Sequence, residues 1–213
     1  MNYDIVAISV SCLLVLSYYL YLARKNRNAP DSSTHILNAR VRKRWVKMIM
    51  DSDKKEILAV QTLRNSVLAA NFMASTSILL TIGPLNVSDK IGQWALKWHP
   101  FGFTHSFSPE IWQLKLGLLL LVFSMAFFCF SMAVRLFNHV GYMINLPEDP
   151  ATDYNLYEQT SAYLNKAGSY YTIGIRSFFF SLPIVLWFFG PYFLIAATLG
   201  LIGGLTLLDK VPK

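Results

Sequence analysis

Acidic residues are scarce in this 213-residue sequence, twelve against nineteen basic ones, and charge of either sign is confined to a few stretches. Only 15% of positions are charged while 54% are hydrophobic, which sets the chain apart from an ordinary soluble domain. There are two cysteines, Cys12 and Cys129, with no spacing pattern. That excludes a disulfide framework and a cysteine-based metal site, and both read as small apolar residues. Catalytic signatures are missing too: no Gly-rich phosphate loop, no H-E-x-x-H, no C-x-x-C and no G-x-S-x-G. No cofactor is implied, and the reading favours a non-enzymatic protein. There is no internal repeat, no low-complexity tract and no long linker, so one compact domain over 1–213 is expected.

What is present comes in blocks. Ile5–Ala23 is nineteen residues without a charge, and Leu116–Val134 is uncharged between Lys115 and Arg135. Ala59–Gly83 is as apolar but contains Arg64. Ser177–Leu208 is thirty-two uncharged residues interrupted by Pro183 and by Gly190-Pro191. Such blocks read as membrane spans. As one straight helix the last would be about 48 Å long, against a hydrocarbon core of about 30 Å. It must kink, tilt or fold back. Two half-length arms and a full span with a terminal helix fit equally well. The expectation is an all-α integral membrane helical bundle with four transmembrane spans (about 5–23, 59–83, 116–134 and 176–208). The last is broken at Gly190-Pro191 and can be counted as two, and amphipathic cytoplasmic helices accompany the bundle.

A net charge of +7 would suggest nucleic acid in a soluble protein, but its distribution argues otherwise. Residues 24–57 hold ten of the nineteen Lys and Arg, whereas 84–111 hold only Lys90 and Lys97. The positive-inside rule then places 24–57 and 136–175 in the cytoplasm and the N-terminus outside. The expected location is a cell membrane, the inner membrane in a bacterium, with the lipid bilayer as principal partner. The N-terminal block reads as an uncleaved anchor, because positive charge follows it and no small-x-small site appears before it.

"THILNARVRKRWVKMIM" alternates apolar and basic positions at helical spacing. Ile36, Leu37, Val41, Trp45, Met48 and Ile49 can share a face, with Arg40, Lys43, Arg44 and Lys47 around the other side. Segment 34–50 therefore suits an anionic membrane surface, or packs on the cytoplasmic end of the bundle. Asp53 and Glu56 suggest a capping box that starts the second span. The external loop is rich in aromatics, with Trp94, Trp98 and Trp112 suited to an interfacial belt. Its His99 and His105 lack a convergent carboxylate, so no metal site is expected. The second cytoplasmic stretch, within 136–175, carries Glu148, Asp149, Asp153 and Glu158 against Lys166 alone, and either docks on the basic helix or is solvated independently of it.

The polar residues inside the spans are the candidate site. Gln61, Arg64, Asn65, Leu68, Asn71 and Ser75 occupy an arc of about 120° on a helical wheel, with Val60, Leu63, Val67, Ala70 and Ala74 opposite. Since ionisable groups in spans usually face the bundle, this arc is expected to point inward. Ser124, Phe128, Ser131, Arg135, Asn138 and Tyr142 repeat it at 4-3-4-3-4 spacing. His139 lies beside Asn138; as a base it would need a partner, and it reads more simply as a residue of the interface or helix end. Arg176 opens the final block. Arg64, Arg135 and Arg176 are thus expected in one layer, needing acceptors such as Glu158, Asp153 or Asn138, or an anion bound in bidentate fashion. A ligand or lipid site is expected from Gln61, Arg64, Asn65, Asn71, Arg135, Asn138, His139 and Arg176; the alternatives are arginines that only orient the spans and snorkel to the headgroups, and structural hydrogen bonds between helices. The partners considered are an anionic lipid, another membrane protein or a homo-oligomer, and no nucleic acid. A small-solute transporter using the broken last helix, and a membrane-embedded enzyme, are the alternatives.

"AVQTLRN…AANFMAST" (59–76), "RLFNHVGYMIN" (135–145) and "YLNKAGSYYTIGIRSFFFSLPIVLWFFGP" (163–191) resemble an uncharacterised bacterial and plant membrane family, domain of unknown function 599. The resemblance covers about residues 5–208 and is carried best by AVQTLRN and by Trp187–Pro191. It implies a small multi-pass membrane protein and no assigned activity.

Overall fold

An uncharged run in hydrocarbon has no water for its amides, so it must satisfy them within itself as a helix. The computed structural model describes residues 2–28, 34–52, 55–88, 109–146 and 155–210. Among them are six helices and no strand: α1 (Asn2–Asn28), α2 (Thr34–Met50), α3 (Glu56–Ser88), α4 (Pro109–Met143), α5 (Leu156–Trp187) and α6 (Pro191–Leu208). Four of them, α1, α3, α4 and α6, are long and apolar enough to cross a membrane. Trp94, Trp98, His99, His105, Lys90, Lys97, the capping residue Asp53, and Glu148, Asp149 and Asp153 lie outside the described residues.

The last uncharged block divides between α5 and α6, broken at Gly190-Pro191 as expected. The amides of Phe188, Phe189 and Gly190 return to the carbonyls of Val185, Leu186 and Trp187, tightening the end of α5 into three-residue bonds. Gly190 then takes φ +147°, a conformation that only glycine enters at low cost. Pro191 starts α6 where its missing amide proton is not needed. Pro183, by contrast, is carried inside α5.

The chain forms two compact units, and α3, α4 and α5 contribute a segment to each. One unit comprises Met1–Thr34, Ser77–Ser124 and Arg176–Lys213. Ala7, Trp187 and Leu194 form its buried cluster, with Ile8, Ile111, Leu118 and Ile195 packed against it. The other comprises His35–Thr76 and Met125–Ile175. Its core takes Val46 and Ile49 from α2, Ala59, Leu63 and Ala70 from α3, Ala133, Leu136, Phe137 and Val140 from α4, and Leu164 and Ala167 from α5.

The basic segment is helix α2, and it packs on its unit through Val46 and Ile49. Lys43 pairs with Glu158 at 2.8 Å, and the Nε of Arg42 donates to the Asn165 side chain at 2.9 Å. The expected docking of acidic on basic segment thus occurs through Glu158. The apolar face is not shared as the spacing suggests: Leu37, Val41 and Met48 stay exposed. Tertiary packing selects Val46 because the basic residues around it can reach α5 while its own side chain fills the core.

Candidate functional site

On α3 the polar arc is Gln61, Arg64, Asn65, Leu68, Asn71 and Ser75, and every one of these side chains is exposed. The buried side is Ala59, Leu63, Ala70, Ala74, Ser77 and Thr81. This reverses the expectation that the polar arc points into the bundle. The physical reason lies in the small residues. Within hydrocarbon, helices associate through close van der Waals contact, which alanine and serine permit and a guanidinium or carboxamide does not. The alanine side therefore packs inward, and the polar side is left outside. Of the residues expected opposite the polar arc, only Val60 is exposed, while Leu63, Ala70 and Ala74 belong to the interior.

The arc on α4 behaves in the same way. Ser124, Phe128, Arg135, Asn138 and Tyr142 are exposed and Ser131 is half-buried, while Ala126, Phe130, Ala133, Phe137 and Val140 are buried. α3 and α4 are neighbours where a Cβ on Gly141 would stand 4.0 Å from Leu63 Cδ1. Among the described residues, Gln61, Arg64, Asn65, Asn71, Arg135 and Asn138 make no side-chain hydrogen bond or ion pair. His139 is exposed, with its ring 4.6 Å from that of Tyr163, and no carboxylate pairs with it among the described residues. The two rings are tilted by 58° to each other.

Arg176, the third arginine of the expected layer, belongs to the other unit and is paired with an acid within it. Its Nη2 donates to one oxygen of Asp209, just beyond α6, and the hydroxyl of Tyr18 in α1 donates to the other. One carboxylate thus ties three helices. Asp209 is the sole acid after Glu158 in the sequence, and that count was the signal available for this pairing. The contact also decides the shape of the last block: residues 176 and 209 meet, so the chain folds back as a hairpin.

Lys115 is the residue that sequence reasoning missed, taking it only as the edge of an uncharged block. It is 5% exposed. Its ammonium donates to the carbonyl of Trp187 at 3.0 Å, lies 3.8 Å from Asp4 Oδ1, and sits 4.8 Å from the Trp187 ring centroid. The rings of Trp112 and Phe188 complete an aromatic surround at 5.9 and 5.7 Å. The Trp187 indole in turn donates to Asp4 Oδ1 at 2.8 Å. A cation here meets the carbonyl end of α5, where the helix dipole favours positive charge, and the ring faces replace part of its hydration. Asp4 is the first charge in the chain and stands alone before residue 24, which hints at a local partner.

In the same unit an apolar cavity of about 490 Å³ lies among α1, α4, α5 and α6, bordered by Cys12, Tyr19, Val122, Ile184 and Trp187. Ser11 Oγ is buried beside it without a hydrogen-bond partner among the described residues.

A family model described as "Protein of unknown function, DUF599" matches residues 6–213, nearly the whole chain. No curated protein and no solved structure matches.

Proposed function

We propose that this chain, which belongs to the DUF599 family of proteins of unknown function, is a membrane-embedded binding protein that holds an anionic lipid headgroup. The observation that carries this reading is the pair of exposed arginines, Arg64 and Arg135, on adjacent helices, neither with an ion-pair partner among the described residues. A guanidinium offers a planar fork of donors that matches a phosphate, and is less strongly hydrated than an ammonium. Gln61, Asn65 and Asn138 add neutral donors on the same outward faces. Arg64 lies two turns from the start of α3 and Arg135 two turns from the end of α4. Both are within reach of headgroups by extending their stems. The charge distribution supports a cytoplasmic position for this end in a cell membrane. Arg176, already neutralised by Asp209, takes no part.

Each arginine is expected to contribute about 1 kcal/mol, roughly a fivefold change in lipid occupancy. Native mass spectrometry of the protein with phosphatidylglycerol tests it. Arg64→Gln and Arg135→Gln should each reduce retained lipid about fivefold, and unchanged retention in both would remove the reading.

A transporter reading rests on the break at Gly190-Pro191, which resembles the interrupted helices of transporters. It also requires Asn71 on a water-filled route. Asn71 lies on an outer face, in a different unit from the break, so the headgroup reading has the better support.

A further inference from the structure

The outward arc of α3 extends deeper than any headgroup. Gln61, Arg64, Leu68, Asn71 and Ser75 are spaced 3-4-3-4, and all five are exposed. That is the spacing of a seam between two helices that coil around each other. Depth follows from length. α3 has 33 residues, and a hydrocarbon core of about 30 Å takes about 20 of them. Whichever 20 are immersed, residues 69–75 are among them. Asn71 therefore lies in hydrocarbon for any placement of the helix across a bilayer, facing outward from its own chain.

Lipid tails offer Asn71 nothing. Its carboxamide has two donors and an acceptor, all without a partner among the described residues. Hydroxyls escape this difficulty, since Ser66 and Thr76 return to carbonyls of their own helix, Thr62 at 3.0 Å and Phe72 at 2.9 Å. Ser75 can do the same; a carboxamide has no such local answer.

The geometry points to a second copy of this chain as the partner, packed through α3 with Asn71 against Asn71 about a twofold axis along the membrane normal. A carboxamide is complementary to itself: each can donate to the other's oxygen. Two copies inserted alike present α3 in parallel, which a 3-4 seam accommodates, and a single polar residue in such a seam fixes its register. Leu68 is 57% exposed and supplies the apolar contact one turn away. From Leu68 through Asn71 to Ser75 the seam has no charge that a different partner would have to neutralise. Arg64, nearer the helix start, directs its guanidinium to the headgroups instead of across the axis. This interface goes beyond headgroup binding and does not depend on it.

Purified full-length protein in phosphatidylglycerol-containing nanodiscs, with the chain count read by single-molecule photobleaching, tests the interface. The wild type is expected as a dimer. Asn71→Leu should raise the dissociation constant at least tenfold, while Asn71→Gln, which keeps the carboxamide, should stay near the wild type. Because residue 71 is exposed on its own chain, Asn71→Leu should keep the wild-type helix content by circular dichroism, which checks its folding. In a background with both cysteines changed to alanine, Asn71→Cys should cross-link on oxidation. Ala69→Cys, about 160° round the helix, should not. A monomeric wild type, an undiminished Asn71→Leu dimer, or a different protein bound one-to-one would overturn the proposal. Arg135→Gln lies off this seam and should lower lipid retention while leaving the dimer intact, so the two readings fail separately.

Discussion

At Gly174 a single hydrogen decides how closely α5 approaches α4. A Cβ there would stand 2.8–3.0 Å from three carbons of the Phe130 ring, which is fully buried and set edge-on to Tyr171. Alanine would favour the helix by up to about 1 kcal/mol, but overpacking a filled core costs about 1–3 kcal/mol. Gly174→Ala should therefore destabilise by about 1 kcal/mol, read as a melting temperature lower by a few degrees in detergent. Phe130→Leu added to it should recover part of the loss, and additivity of the two would refute the contact. Residues differ in how much of this the sequence discloses. Polar identity and helical spacing located Arg64, Asn71 and Arg135 on common faces, since both are properties of one helix. Which way each face turns was not legible, because that depends on which side a neighbouring helix can approach. The glycine at 174 and the alanines of α3 had that information, and they have no polar chemistry to attract notice.

Among the elements, α2 is where charge and packing act together. Arg42 is half-buried, and burial pushes its guanidinium below its ordinary value even as it donates to Asn165. Lys43 is exposed, and its hydrogen bond to Glu158 raises it above the usual 10.5. A raised value in the folded state means that the pair stabilises docking at every pH below 10.5 where Glu158 is ionised, and that this contribution fades as pH rises through the raised value. The melting-temperature difference between wild type and Lys43→Met should thus be small and constant from pH 7 to 10, then close towards pH 12. A difference that persists at pH 12 would assign the effect to packing of the lysine stem. The helix itself was readable from alternating basic and apolar positions. Its buried side was not, because Leu37, Val41 and Met48 are as apolar as the two residues that fill the core.

For the whole molecule, large apolar side chains stay outside: Phe72 is 73%, Leu207 70% and Leu79 66% exposed. A soluble protein rarely presents so much, and the bilayer is the solvent that accommodates it. The membrane class and the helical spans were legible because long uncharged runs allow few other structures. The hairpin was not, since Arg176 and Asp209 are separated by a featureless apolar stretch and only their meeting reveals the fold-back. Breaking that pair leaves a half-buried guanidinium. Asp209→Asn should cost about 2 kcal/mol, less than a fully buried pair because both side chains keep some solvent contact. Thermal unfolding measures it, and Arg176→Met should recover part of the loss only in the Asp209→Asn background.

The Arg176–Asp209 contact also fixes a parity. Whether the turn at Gly190 reaches the far face of the bilayer or stops within it, residues 176 and 209 meet at one level. The hairpin adds an even number of crossings or none, so residue 209 lies on the same side as the chain just before residue 176.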